Sequence, residues 1–306
     1  MKLGQVTYID DIRSVWGNEA KDFTPWLAEN LDALGAELGI DMELITTEYD
    51  VGSFSLDIFA REINTGHPIV IENQLETTDH SHLGQLITYS SGVDAKIIIW
   101  ISKTVREEHR KAIDWLNQVS NEDTHFFAVE IQAITIDGSL PAPLFKVKAS
   151  PNEWGKAQKA ISMVGSGTKT PKQTYYHDFF TKFLAELKQR KPHFTNAKSV
   201  GYDSWFSFGS GKTGFTYSIA FRSGNRLSCE LYIDMNDKEL NKAKFDELIQ
   251  YKEDVKPILG DLSWERLDER RACRIAAYTE VTSEDAMLDW GVRTLIDFKD
   301  TFMKYL

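Results

Sequence analysis

The sequence is short of cysteine, of long apolar runs and of surplus positive charge. Cys229 and Cys273 are its only cysteines, so neither a disulfide framework nor a Cys-rich zinc site can be built from them. No apolar run approaches the roughly 20 residues that a membrane-spanning helix needs. The opening Met1-Lys-Leu-Gly-Gln-Val6 lacks the apolar core of a signal peptide, which makes a cytoplasmic protein the expectation. Internal repeats and long low-complexity tracts are missing too. The net charge is −11, which taken alone argues against a polyanion partner.

What is present is an ordinary globular composition, 42% hydrophobic and 12% aromatic over 306 residues. That length supports two domains with proper cores. The charge is unevenly spread. Residues 1–150 hold 11 Lys and Arg against 24 Asp and Glu, whereas residues 151–306 hold 24 against 22. A bound polyanion would find its cations in the second half, and the first half would need metal ions to tolerate a phosphate.

Element signals are clear in the first half. Thr24 and Pro25 suit a helix start, and Phe23, Leu27, Leu31, Leu34 and Leu38 recur at helical spacing up to Gly39. Asp41–Thr47 reads as a strand. Val51–Glu62 and Pro68–Gln74 read as a hairpin, turning through Asn64-Thr-Gly-His67. A helix is expected from Asp79 to Gly92 and a doubly buried strand over Lys96–Ile101. A third helix over Arg106–Gln118 buries Ala112, Ile113, Trp115 and Leu116, and an alternating strand spans His125–Ile136.

The hairpin carries the chemistry. Glu72 and Gln74 lie two apart and share one face of the returning strand, and Asp57 lies mid-strand opposite. An Asp and a Glu converging from adjacent strands, with a polar residue two beyond the Glu, can hold a divalent metal against a phosphate. This arrangement resembles the PD-(D/E)xK nuclease superfamily, with Gln74 where Lys is usual. The order α-β-β-β-α-β resembles the core of the restriction-endonuclease-like fold. Phe23–Asn30, Ile71–Gln74, Asp79–Tyr89, Glu107–Asn117 and Ser139–Pro143 together resemble a bacterial family labelled as a domain of unknown function, whose members look like nuclease-fold proteins.

These resemblances imply an α/β restriction-endonuclease-like domain at 1–150, a mixed central sheet flanked by helices. A linker at 151–172 and an α+β domain at 173–306 would follow. The second domain opens with a helix over Tyr175–Gln189. Strands Ser204–Phe208, Gly214–Phe221 and Arg226–Ile233 then form an antiparallel meander, and helices follow near Asp237–Tyr251 and Ser283–Tyr305. Gly209-Ser-Gly-Lys-Thr-Gly214 contains Gly-Lys-Thr, but a phosphate-binding loop needs another Gly further upstream and a helix after it. It reads as a hairpin turn.

On the functional reading, Asp57 and Glu72 are ligands of Mg²⁺ or Mn²⁺, with the Asn73 carbonyl as a third. Gln74 orients the attacking water or contacts phosphate. Glu48 is a further candidate carboxylate, Lys96 a candidate cation and Glu29 a candidate from the first helix. His82, Gln85 and Tyr89 fall at i, i+3 and i+7, a polar stripe beside Leu83, Leu86 and Ile87, and are the substrate-binding candidates. The bland alternative is a helix whose polar groups satisfy buried backbone. His80 and His82, two apart on a helix, diverge by about 200° and cannot share an ion. His109 reads as a surface or packing residue.

In the second half, Trp205, Phe206, Phe208, Phe215, Tyr217, Phe221 and Tyr232 could stack bases beside Lys212, Arg222 and Arg226. A sheet core explains the same period. Arg266, Arg270, Arg271 and Arg274 would share helical faces if that segment were helical, or pair with Glu265, Asp268 and Glu269. The expected function is metal-dependent phosphodiester hydrolysis on nucleic acid, DNA foremost, with the second domain binding substrate or forming a homodimer and no membrane involved. The alternative is a catalytically inactive nuclease-fold scaffold that binds nucleic acid or a protein partner.

Overall fold

The computed structural model describes residues 3–51, 54–121, 123–151, 170–235 and 237–306. The chain forms two compact units. The first comprises Met1–Leu38, Leu44–Glu62 and Gly66–Ala157, and the second Gly39–Glu43, Ile63–Thr65 and Gln158–Leu306.

The first unit is a mixed α/β structure on a seven-stranded sheet. Its strands are β1 (Val6–Ile9), β2 (Met42–Val51), β3 (Phe54–Glu62), β4 (Pro68–Thr77), β5 (Ile97–Thr104), β6 (His125–Ile136) and β7 (Ala142–Ala149). β3 and β4 are antiparallel with Ile58 opposite Ile71, and β4–β5 and β5–β6 are parallel. β6 is long enough to pair β5 through its first half and β1 near its end, while β7 lies antiparallel along the other edge. The central β5 opens Ile97-Ile-Ile-Trp-Ile101 and is buried from Ile97 to Ser102, as a strand covered on both faces must be. Val70 of β4 and Ile98 and Trp100 of β5 form one core cluster with Leu86 and Tyr89 of α3 (His80–Gly92) and Ile113 of α4 (Glu107–Val119).

Several expectations are corrected here. The first helix is not one continuous element starting at Thr24. A π-helical turn, Glu19–Phe23, capped by Asn18, leads into α1 (Thr24–Glu29), and Asn30 interrupts the path before α2 (Leu31–Leu38). The stripe Phe23, Leu27, Leu31, Leu34 and Leu38 is buried all the same. Ile87 and Trp115, expected on apolar faces, are 44% and 59% exposed. Edge strands β1 and β7, too short or too polar to show in the pattern, flank the sheet.

The second unit packs a five-stranded antiparallel sheet, in the order β11-β12-β10-β9-β8, with helices. These strands are β8 (Trp205–Gly209), β9 (Phe215–Arg222), β10 (Arg226–Ile233), β11 (Ser263–Glu265) and β12 (Cys273–Glu280). The helices are α5 (Pro171–Arg190), α6 (Lys238–Leu248), α7 (Lys252–Leu259) and α8 (Glu284–Phe302). The segment 151–172 expected as a linker lies outside the described residues, apart from 151 and 170–172. Thr170 closes a capping box with Gln173, and Pro171 opens α5. Phe206, Phe208, Phe215 and Tyr217 are buried with Phe179, Phe183, Leu295 and Phe298. These aromatics are core rather than a stacking platform, although Trp205 and Tyr232 keep an exposed edge.

The arginine-rich segment is a loop running into β12, not a helix. Arg266 pairs with Asp246 and Asp268, Arg271 with Asp234, and Arg274 with Glu265. Gly209–Gly214 is a hairpin turn between antiparallel β8 and β9, with Gly211 and Gly214 at φ +79° and +83°. Among the described residues, no helix is long and apolar enough to cross a membrane.

Candidate active site

β4 alternates strictly at the point where chemistry is expected. Val70 faces Leu86 and Tyr89, so Glu72 and Gln74 share that face and Asn73 takes the other. The regular β3–β4 ladder runs as far as Ile58 opposite Ile71. One step further, Asp57 Oδ2 accepts the Asn73 N–H at 2.7 Å, which fixes Asp57 against the strand that carries Glu72. The Asn73 side chain donates to Thr24 Oγ1 at 2.9 Å. Thr24 therefore anchors the strand instead of capping a helix.

Glu72 is 5% exposed, and its Oε2 has no hydrogen-bond partner among the described residues. Burial first, then the charge of Asp57, then those of Glu19 and Glu48, push its carboxyl up to about 9. Asp57 is raised to about 7, chiefly by burial, with the Asn73 N–H working the other way. The two carboxyls titrate as a pair and retain a proton at neutral pH. A buried acidic pair without a cation is a costly arrangement unless it is protonated.

The candidate donors are all oxygen: two carboxylates and the backbone carbonyl of Asn73, next to Glu72. That set fits a hard divalent ion such as Mg²⁺ or Mn²⁺ better than a thiophilic one. The orphaned Glu72 Oε2 is the observation that fits such an ion. Among the described residues, no three His, Cys, Asp or Glu side chains already enclose an ion position, so water or substrate would complete the coordination.

Glu19 is the residue that sequence reasoning missed. Its Oε2 accepts the Leu75 N–H, and its charge raises both Asp57 and Glu72. The signal was Asn18, a good cap residue immediately before it. Glu29, the acid considered on this segment, is exposed. Glu48 also acts on both carboxyls; it holds φ +49° and accepts from Ser55 Oγ at 3.1 Å.

Lys96 does not approach the pair. Ile97 registers with Ile69 and Trp100 with Glu72, so Lys96 lies at the far end of the sheet, bound to Asp94 and Asp123. Gln74 does not present a free amide either. Its Nε2 donates to Thr77 O at 3.0 Å and to Asp79 Oδ2 at 2.8 Å.

Of the helix stripe, Tyr89 is 2% exposed. Burial, then the charges of Glu72 and Asp57, hold its phenol above the ordinary value, with a Gln85 hydrogen bond opposing. Gln85 Oε1 is buried without a partner among the described residues. His82 Nδ1 lies 2.9 Å from Asp79 Oδ1. His80 faces away from this cluster in its contacts: its Nδ1 meets His109 Nε2 at 3.0 Å, and His109 Nδ1 meets Thr78 Oγ1 at 2.8 Å. His109 is thus a buried packing residue rather than a surface one.

No curated protein matches the chain. Among solved structures, it is similar to a repair endonuclease from Pyrococcus abyssi, 14% identical over 32% of this chain and 43% of that one, with a TM-score of 0.27. It is also similar to an EndoMS–dsDNA complex, 14% identical over 28% and 39%, with a TM-score of 0.23. The chain spans less than half the length of either, and likeness of that degree carries no functional information. The family match falls on the second unit: residues 175–306 fit the model described as Domain of unknown function (DUF4268).

Proposed function

We propose that the first unit is a restriction-endonuclease-like domain that hydrolyses phosphodiester bonds in nucleic acid, DNA foremost, with Mg²⁺ or Mn²⁺ held by Asp57, Glu72 and the Asn73 carbonyl. The observation that carries this reading is the buried Glu72 carboxylate, with Oε2 unpartnered and Asp57 beside it on the adjacent strand. Bound there, the ion would lower the pKa of a water and polarise a phosphoryl oxygen. The chain's own part is to hold and orient. Asn73 N–H fixes Asp57, Thr24 fixes Asn73, and Glu19 is tied to the backbone of Leu75. Gln85 and Tyr89, on the helix over the same strand face, would be the side chains to meet substrate.

The test is calorimetric titration of the folded protein with Mn²⁺ and with Mg²⁺, beside Glu72→Ala and Asp57→Ala, followed by a cleavage screen on single- and double-stranded DNA and RNA. Binding and cleavage that vanish in both variants support the reading. A folded wild type that binds neither ion and cuts nothing overturns it. The scaffold reading would then stand, and Gln74, its amide spent on Thr77 and Asp79, speaks for that second view.

A further inference from the structure

His82 lies in the first turn of α3, the helix whose Leu86 and Tyr89 pack over the β4 face that carries Glu72 and Gln74, close enough to Asp57 that a protonated imidazole there favours the ionised carboxylate. That imidazole is not loosely placed. Gln74, on the strand face it shares with Glu72, donates Nε2–H to Asp79 Oδ2 at 2.8 Å. Asp79 Oδ1 in turn accepts the His82 backbone N–H at 2.9 Å and meets His82 Nδ1 at 2.9 Å. A continuous hydrogen-bonded chain therefore runs from β4 to the imidazole. Desolvation pushes the Asp79 carboxyl up, but its bonds from His82 and Gln74 outweigh that and hold it below its usual value. An ionised Asp79 keeps the proton of neutral His82 on Nδ1. Nε2, with its lone pair, is then the nitrogen left without a partner among the described residues, on a side chain 27% exposed.

Water attacking a phosphodiester needs a group that takes a proton at neutral pH. Asp57 and Glu72 are committed to the cation, Tyr89 holds its own proton tightly, Lys96 is at the other end of the sheet, and His80 and His109 are bonded to one another. We propose that His82 is the general base of this site, and that Asp79 and Gln74 are positioning residues that fix its tautomer and ring. This rests on the phosphodiesterase reading above. In the step, His82 Nε2 takes a proton from water as the water oxygen bonds to phosphorus. The bond from phosphorus to the leaving oxygen breaks, and that oxygen takes a proton from solvent. The imidazolium, stabilised by Asp79, then returns its proton to solvent.

The experiment measures Mn²⁺ binding by calorimetry and Mn²⁺-dependent cleavage of plasmid DNA and of bis(p-nitrophenyl) phosphate, in wild type, His82→Ala and Asp79→Asn. Asn retains the helix cap while removing the charge. The expected result for His82→Ala is wild-type Mn²⁺ binding with cleavage reduced by about 10²–10⁴-fold, partly restored by added imidazole. Asp79→Asn is expected to lose rate with little change in KM. Cleavage by His82→Ala at the wild-type rate overturns the base assignment alone. So does a loss that accompanies lost Mn²⁺ binding and resists imidazole. A wild type that cleaves neither probe overturns the assignment together with the phosphodiesterase reading.

Discussion

Burial holds a proton on the Asp57–Glu72 pair, and the same proton sets how stability varies with pH. Glu72 rises from 4.5 to about 9 and Asp57 from 3.8 to about 7. Between those values the folded state binds more protons than the unfolded one. The contribution is therefore complete below 3.8 and is lost as pH rises towards 9, by at most about 1.4 kcal/mol per pH unit for each proton. In EDTA, the melting temperature should fall from pH 6 to pH 8.5. Glu72→Gln should flatten that slope and melt higher than wild type at pH 8.5; a wild-type curve that is flat or rising contradicts the burial argument. Lys242 is a second residue whose role is local. It is 3% exposed, and its Nζ donates to Arg266 O, Leu267 O and Ala272 O at 2.6–3.0 Å. Lys242→Met strands three carbonyls of the loop before β12, which should cost about 3 kcal/mol in urea unfolding. A loss below about 1 kcal/mol would mean that water replaces the ammonium.

At the scale of the element, the π-helical turn matters most, because it delivers Glu19. Asn18 Oδ1 accepts Lys21 N–H at 2.8 Å, and Asp22 Oδ2 accepts Asn18 N–H at 2.7 Å, a reciprocal cap. Asn18→Ala should cost about 1 kcal/mol and weaken Mn²⁺ binding as Glu19 loses its anchor. Thr170→Ala, which removes the cap of α5, should cost a similar amount and leave Mn²⁺ binding unchanged. Equal effects of the two on Mn²⁺ would sever the turn from the site. The same turn shows why some of the site was legible and some was not. Period-two alternation placed Glu72 and Gln74 on one face, and turn chemistry placed Asp57 beside them. Glu19 was hidden because a π turn follows neither the helical nor the strand period, so the start at Thr24-Pro25 looked sufficient. The π turn's own cap, Asn18, follows Trp16 and Gly17 and leads into Glu19-Ala-Lys-Asp22 rather than a visible apolar stripe. β12, Cys273-Arg-Ile-Ala-Ala-Tyr-Thr-Glu280, was masked by the arginines around it; their pairing with Glu265 and Asp268 was legible from neighbouring acids, whereas Asp246 on α6 and Asp234 after β10 are distant in sequence. Gln74 was expected at the substrate, but a residue at 79 takes its amide, a contact that spacing along one strand cannot reveal.

At the scale of the molecule, charge and core lead to one expectation. The second half carries the better cation balance, yet Arg222, Arg266, Arg271 and Arg274 are spent on Glu230, Asp246, Asp268, Asp234 and Glu265. These pairs withdraw four arginines of the second unit from any free basic surface. That unit also has its own core, from Phe179 and Phe183 through Tyr217 and Cys229 to Phe298, as the first unit has around Trp100 and Tyr89. Two cores of this kind are expected to melt as two cooperative units. A ligand that binds only one native unit raises only that unit's transition, by RT ln(1 + [L]/Kd). With the carboxylate pair in the first unit, differential scanning calorimetry should resolve two transitions. Millimolar Mn²⁺ should move one of them upward by several degrees and leave the other in place. Glu72→Ala should abolish the movement without altering the second transition. A single transition that shifts as a whole would instead mean that the units are thermodynamically coupled, and that the second unit senses the occupant of the first.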